Sequence, residues 1–321
     1  MTSEPVVRRK QFLALALLAA VVGSVVVSGG ADAAFPGENG QIAFTSSGDI
    51  YVMNPDGSGQ TNLTNTPAVE SAPSWSSDGT RLVFTSVLAG NPEIYVMDAN
   101  GGNRTRLTFT DGQGVAHSDP AWSPDGTKIV YTRFGAAEGR EIYVMNADGT
   151  NQTRLTFDAN DYFGSAQPAW SPDGTKIAFI SQRDRGEDLE IYVMNANGTQ
   201  QTRLTDDALE DFNPDWSPDG SRLVFRSGGE LSVMDADGTN QVNLTSNTVL
   251  EQLPHWSPDG TKIAFQIGQA IYVIDVDGSN QINLTSSFGP AGDPAWQPLP
   301  SSTTTTTRPT TTTSSTTTTT R

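Results

Sequence analysis

Ala121-Trp122-Ser123-Pro124-Asp125-Gly126 returns unchanged as Ala169 to Gly174, with near copies around Trp75, Trp216 and Trp256 and a degenerate copy at Trp296. These are the six tryptophans of the chain, spaced by 47, 48, 46, 40 and 40 residues. A recurrence of roughly 40–50 residues filled with short strands marks a propeller or a related repeat array.

Residues 168–205 show what one repeat builds. Pro-Ala-Trp-Ser-Pro-Asp-Gly-Thr-Lys-Ile-Ala-Phe is followed by Glu-Ile-Tyr-Val-Met-Asn-Ala-Asn-Gly-Thr and then Gln-Thr-Arg-Leu-Thr. Pro172-Asp173-Gly174 suits a tight turn: Pro presets φ, Asp bonds the following backbone, and Gly tolerates positive φ. Asn197-Gly198 punctuates the chain again, as Asp148-Gly149 and Asp237-Gly238 do in other copies. The unit therefore reads as a four-stranded antiparallel meander, with strand A at Trp170, B at Ile177 to Phe179, C at Ile191 to Asn195 and D at Thr202 to Thr205.

Strands B and C are apolar at successive positions, so both faces of each sheet must be covered. A ring of small sheets meets that demand, whereas a sandwich with one wet face would alternate. Trp75, Trp122, Trp170, Trp216, Trp256 and Trp296 are read as structural residues that fill the spaces between blades. B and C strands occur six times, but the first pair has no preceding Trp and the last Trp segment, 293–298, has no following B strand. Each end lacks what the other carries. The expected fold is all-β: a six-bladed propeller of four-stranded antiparallel blades, closed by a C-terminal strand that joins the first blade and hides the open edges.

The ends of the chain differ from this array. Arg8, Arg9 and Lys10 precede an apolar stretch from Phe12 to Val27, and Ala31-Asp32-Ala33 follows as a cleavage pattern. Residues 1–33 thus read as a secretory signal, its apolar stretch shorter than the roughly 20 residues of a spanning helix. Arg8 to Leu13 is one position off a twin-arginine pattern, so both the general and the twin-arginine routes fit. Residues 34–298 form the propeller. The last segment, 299–321, is dominated by Thr and Ser and reads as a disordered stalk that cannot bury enough surface to offset its ordering entropy.

Residues 34–321 carry 16 basic and 34 acidic side chains, a net charge of −18, and there is no Cys. Nucleic acid is excluded as a partner by this charge, and thiolate metal ligation and disulfides by composition. No transmembrane span is expected in the mature chain, which reads as an exported monomer: periplasmic, wall-associated or extracellular.

Trp-Ser-Pro-Asp-Gly at 122–126, 170–174, 216–220 and 256–260, followed by Lys-Ile-Ala-Phe and Ile-Tyr-Val-Met-Asn, closely resembles the WD40-like (PD40-type) β-propeller repeat of the TolB family. The resemblance spans about residues 35–298 and concerns the propeller part only; the α/β domain that precedes it in TolB has no counterpart in the sequence. The same repeat type occurs in propellers attached to prolyl oligopeptidase-like and tricorn-like proteases, but no hydrolase segment follows here. The resemblance therefore implies a non-enzymatic scaffold.

In a meander the A–B and C–D turns share one rim and the B–C and D–A loops the other. The first rim is short and uniform. The second varies, and a scaffold tolerates variation where packing is undisturbed, so partner binding is expected there. The B–C segments are long in three consecutive repeats, at 86–93, 133–141 and 181–190. Phe134, Arg140, Tyr162, Phe163, Arg183, Arg185 and Phe212 gather in this sector and are the residue types enriched at interfaces. Other loop residues of the sector are Phe109, His117, Glu210 and Asp211. The expected partner is a protein or cell-envelope component.

Other chemistries are weaker in the sequence. Asp78, Asp125, Asp173, Asp219 and Asp259 each sit in an Asp-Gly turn and read as turn-makers. Asp119, Asp215 and Asp293 flank A strands and are the candidate metal ligands; Ca²⁺ would suit such oxygens, although no ligand-dense loop is present and no cofactor is expected. They underlie the alternative, a metal-assisted lyase or hydrolase working at the channel mouth, as in some other six-bladed propellers. His117 and His255 lie in different repeats with no Ser or Asp at triad spacing, so no catalytic residue is assigned. The six Asn-x-Thr sequons, at Asn62, Asn103, Asn151, Asn197, Asn243 and Asn283, follow from the repetition itself.

Overall fold

A computed structural model describes residues 34–88, 90–110, 114–136, 138–157, 163–184 and 188–300. The proposed signal, residues 301–321 of the tail, Tyr162 and Arg185 lie outside the described residues. Twenty-four strands form six four-stranded antiparallel sheets, one per repeat. Blade 4 shows the pattern: Ser165–Trp170 (A), Lys176–Ser181 (B), Glu190–Asn195 (C) and Thr202–Arg203 (D). The A strands of blades 2, 3, 5 and 6 are Val69–Trp75, Ala116–Trp122, Asp211–Trp216 and Glu251–Trp256. The outermost D strands are only two residues long, which leaves little edge for a foreign strand to pair with.

Blade 1 is assembled from both ends of the propeller. Gly292–Leu299 pairs antiparallel with Glu38–Ser46, with Trp296 opposite Ile42 and Leu299 opposite Glu38. Asp49–Met53 and Thr61–Asn62 complete the sheet. Gln297 clamps the junction: its Oε1 accepts from Gln41 N at 3.0 Å and its Nε2 donates to Gly79 O of blade 2 at 2.7 Å. The sixfold closure expected from the unmatched ends is the observed one.

All six tryptophans are buried between blades. Trp75 Nε1 donates to Ala295 O of the preceding blade at 3.2 Å. The guanidinium of Arg81 lies 4.5 Å from the Trp122 ring centroid, and that of Arg222 lies 5.1 Å from Trp256, so a B-strand cation of one blade caps the tryptophan of the next.

Each A strand is broken by a bulge whose pivot is the third residue before the Trp: Ala72, Asp119, Gln167, Asn213, Leu253 and Asp293, with φ of 50–55°. A Pro follows every one. A residue before Pro ordinarily prefers extended backbone, and a non-Gly residue at positive φ costs of order 1–3 kcal/mol, so packing around the ring axis imposes this conformation. These side chains also stitch blades together. Asp293 Oδ2 accepts from Ala72 N at 3.4 Å, and Gln167 Oε1 accepts from Asn213 N at 2.8 Å.

Candidate functional site

The uniform rim is chemically committed to its turns. In blade 3, Ser123 Oγ donates to Asp125 Oδ1 at 2.6 Å, Thr127 N donates to the same oxygen at 3.0 Å, and Lys128 N donates to Ser123 Oγ at 2.9 Å. The bond from Ser123, ahead of the backbone and side-chain bonds from Thr127, holds the Asp125 carboxyl below its usual range. Blades 4, 5 and 6 repeat the arrangement with Asp173, Asp219 and Asp259.

The variable rim is built differently. In blades 2, 3 and 4 strand C carries a buried glutamate near its start, Glu93, Glu141 or Glu190. A D-strand arginine, Arg106, Arg154 or Arg203, pairs with it, and Thr108, Thr156 or Thr205, two residues past that strand, donates to it. Blades 1, 5 and 6 carry Asn62, Asn243 and Asn283 at the arginine position. The Arg-bearing blades are therefore the three with long B–C segments. Glu93 also contacts His117 Nδ1 at 3.0 Å. Although burial opposes ionisation, bonds from His117, Thr108 and Thr110 bring Glu93 down to about 2.

Above these clusters two aromatic side chains project. Phe109 and Phe157 are 70% and 71% exposed, each with a guanidinium over its ring: Arg106 at 4.8 Å and Arg154 at 4.7 Å. Phe157 escaped the sequence reading, yet Leu155-Thr156-Phe157 repeats Leu107-Thr108-Phe109, so aligning the repeats locates it.

The sequence-derived rim residues divide into two groups. Phe134, Arg140 and Phe163 come together, the Arg140 guanidinium lying 5.5 Å from Phe134 and 4.5 Å from Phe163. Gly164 bridges to Arg140, with φ of 78° and no room for a Cβ against Arg140 O. Arg183 instead turns back over its own blade. It donates to Ser181 Oγ at 3.1 Å and Ser165 Oγ at 2.9 Å, and covers Phe179 and Tyr192. Phe212 is capped by Arg226 at 3.9 Å, a residue that its spacing in the chain did not single out.

Several carboxyls on this side are displaced from their usual range. Asp211 has no exposed surface, and burial pushes it up to about 7, with Thr205 and Ser227 working the other way. Burial likewise brings Asp293 up to about 6, reinforced by the neighbouring charge of Asp119. Asp215 is separated from that pair: its Oδ2 accepts from Trp256 N at 2.7 Å. Asp119 and Asp293 stand three residues before their tryptophans and Asp215 one residue before, with the bulge in between. Among the described residues no group of three or more His, Asp or Glu is arranged to hold a metal ion. Asp293 does line a cavity of about 230 Å³ between blades 1, 2 and 6, together with Thr45, Glu70, Gln252 and Gln266. A second cavity, of about 250 Å³, opens in blade 2.

A family model described as the TolB β-propeller domain (PD40) matches residues 20–133 and 119–230. The chain belongs to the TolB β-propeller family. A TolB homolog of Chlorobium luteolum is 38% identical over 68 residues, 20% of this chain and 16% of that protein. The Tol-Pal system protein TolB of Desulfosudis oleivorans is 34% identical over 82 residues, 24% of this chain and 18% of that protein. The aligned stretches thus span less than a fifth of these TolB relatives. The crystal structure of TolB from Acinetobacter baumannii superposes with a TM-score of 0.69 at 24% identity, covering 89% of this chain and 71% of that one. A manganese complex of oligogalacturonate lyase superposes less well, with a TM-score of 0.51 at 16% identity over 78% of this chain and 74% of that one. Both likenesses are of fold. Among the described residues of this TolB-family propeller, no helix is long and apolar enough to cross a membrane.

Proposed function

We propose that this propeller is an exported, non-enzymatic scaffold that binds a protein of the cell envelope through its variable rim. The observation that carries the proposal is the placement of exposed apolar side chains. Among the described residues ten large hydrophobic side chains are exposed, and six stand on B–C or D–A segments, led by Phe109 and Phe157. The A–B and C–D turns present none. Apolar side chains concentrated on one rim, with arginines laid over the aromatics, have the composition of a binding surface.

Membership of the TolB family supports an extracytoplasmic location, and one relative is named for the Tol-Pal system. The candidate acids have structural partners, which supports a binding role: Asp215 Oδ2 accepts from Trp256 N of the next blade, and Asp293 Oδ2 accepts from Ala72 N of blade 2. The two histidines are buried on different blades, and His117 is occupied by Glu93.

The test is capture of the partner from envelope extract by the full chain. Phe109→Ser/Phe157→Ser and Phe134→Ala/Phe163→Ala should each lose it, while Lys128→Ala/Lys176→Ala on the opposite rim should retain it. Retention by both rim variants would refute the proposal.

A further inference from the structure

Two carboxylates buried where blades 1, 2 and 6 meet each keep one oxygen that no donor of the protein reaches. Asp293, on the closing strand, is 3% exposed, and Glu70, near the start of the A strand of blade 2, is 1% exposed. Thr45 Oγ1 and Ala72 N donate to Asp293 Oδ2, at 3.2 and 3.4 Å, while Oδ1 is buried and accepts no hydrogen bond among the described residues. Arg104 Nη1 and Thr66 Oγ1 donate to Glu70 Oε1, each at 3.1 Å, and Oε2 is left as Asp293 Oδ1 is. Thr64 Oγ1, which also lies near Glu70, directs its proton to Asp49 Oδ1 at 3.2 Å. A buried carboxylate oxygen without a donor carries a desolvation penalty that a ligand can relieve.

Both side chains line the cavity of about 230 Å³ between these blades. That volume is more than ten times the roughly 10–15 Å³ that one water needs, so it admits an organic ligand. The lining holds these two carboxylates and no Lys, Arg or His. A further acceptor is fixed beside Asp293. Gln266 Nε2 donates to Gly268 O at 2.7 Å, which turns Oε1 toward the closing strand, where it accepts from Asp293 N at 3.3 Å. Gly292 leaves that amide its place, since a Cβ there would stand 2.5 Å from Gln266 Oε1. Every other blade carries a side chain at this position, four residues before its Trp: Ser71, Ser118, Ala166, Phe212 or Gln252.

We infer that this cavity is a binding site for a small polar ligand bearing a primary ammonium, whose N–H groups donate to Asp293 Oδ1 and whose charge is matched by Asp293 and Glu70. The site goes beyond the rim as a protein-binding surface and does not depend on it. An anion finds no cation in the lining. A guanidinium fork engages both oxygens of one carboxylate, and each carboxylate here has only one open; a compact ammonium suits a single oxygen. A quaternary ammonium has no N–H to donate and is recognised by aromatic cages, whereas this lining contains no aromatic residue. Calcium takes about 6–8 oxygen ligands, and among the described residues no three acidic or histidine side chains gather to supply them.

Ethanolamine titrated into the full chain, followed by NMR at the Gly292 and Gln266 backbone amides, tests the site, with choline and ethylene glycol as analogues that lack the ammonium N–H groups or the charge. Ethanolamine should shift both signals saturably, and the two analogues at least tenfold more weakly. Asp293→Asn, which keeps an oxygen for Thr45 and Ala72 and removes the charge, should weaken ethanolamine binding at least tenfold. If Asp293→Asn does not fold, the three probes on the parent chain decide the matter. No saturable shift, equal shifts from all three probes, an undiminished response in Asp293→Asn, or tighter binding of calcium chloride than of ethanolamine would overturn the inference.

Discussion

Removing the closing strand should cost the domain most of its stability, and the structure allows the size of the effect to be worked out. Trp296 is 7% exposed, and deleting a buried Trp side chain costs about 3–5 kcal/mol. Each Gln297 bond adds about 0.5–1.5 kcal/mol. Loss of the whole strand further unpairs the inner edge of Glu38–Ser46 and uncovers the faces of blades 2 and 6 that pack against it. A domain has only about 5–15 kcal/mol in total, so a chain ending at Ala291 should fail to hold a cooperative fold. Trp296→Ala alone should melt about 6–20 °C below the parent, taking about 2–4 °C per kcal/mol for a domain near this size. A chain ending at Pro300 should melt with the full-length protein. The assay is thermal unfolding followed by near-ultraviolet circular dichroism, with urea titration as a second measure of the same differences. Equal melting temperatures for the chains ending at 291 and 300 would refute the closure reasoning.

Three further outcomes follow from local chemistry. Asp211 is protonated more readily in the folded state, so its contribution is fully present below about pH 4 and is lost as pH rises through about 7; Asp211→Asn should flatten the fall in stability between pH 5 and 8 by about 2–3 kcal/mol, read by urea titrations at those two pH values. Gly164→Ala forces a Cβ against Arg140 O at positive φ and should cost about 1–3 kcal/mol, with weakened partner capture from displacement of Phe163 and Arg140. Asp173→Ala removes the acceptor of Ser171 Oγ and Thr175 N and should lower stability by about 1–2 kcal/mol, measured by urea titration, while leaving partner capture unchanged.

The ring could be read from the chain because its determinants are local and repeated. Turn residues and doubly apolar strands recur in register, and the two unmatched halves at the ends state a demand that only closure meets. The rim was legible only in part. Phe134, Arg140 and Phe163 assemble because they lie on facing segments of one sector, but the direction of a long side chain is set by neighbours that sequence spacing does not specify. Arg183 therefore turns inward to Ser165 and Ser181, and Phe212 meets Arg226. The acids around the axis illustrate the second obstacle. Asp119, Asp215 and Asp293 look alike beside their tryptophans, but the bulge between the third and first preceding positions sends them to different surroundings. Pre-proline preference would have predicted extended backbone at that pivot, and the packing of six inner strands overrides it.

The proposal that the non-repeating rim meets the partner is tested most directly by photo-crosslinking in the cells that produce the protein. A benzophenone side chain is placed in turn at position 157 on the variable rim and at position 199 on the uniform rim. A discrete adduct from position 157, absent from 199, is the predicted result. An adduct from 199 with none from 157 would contradict it.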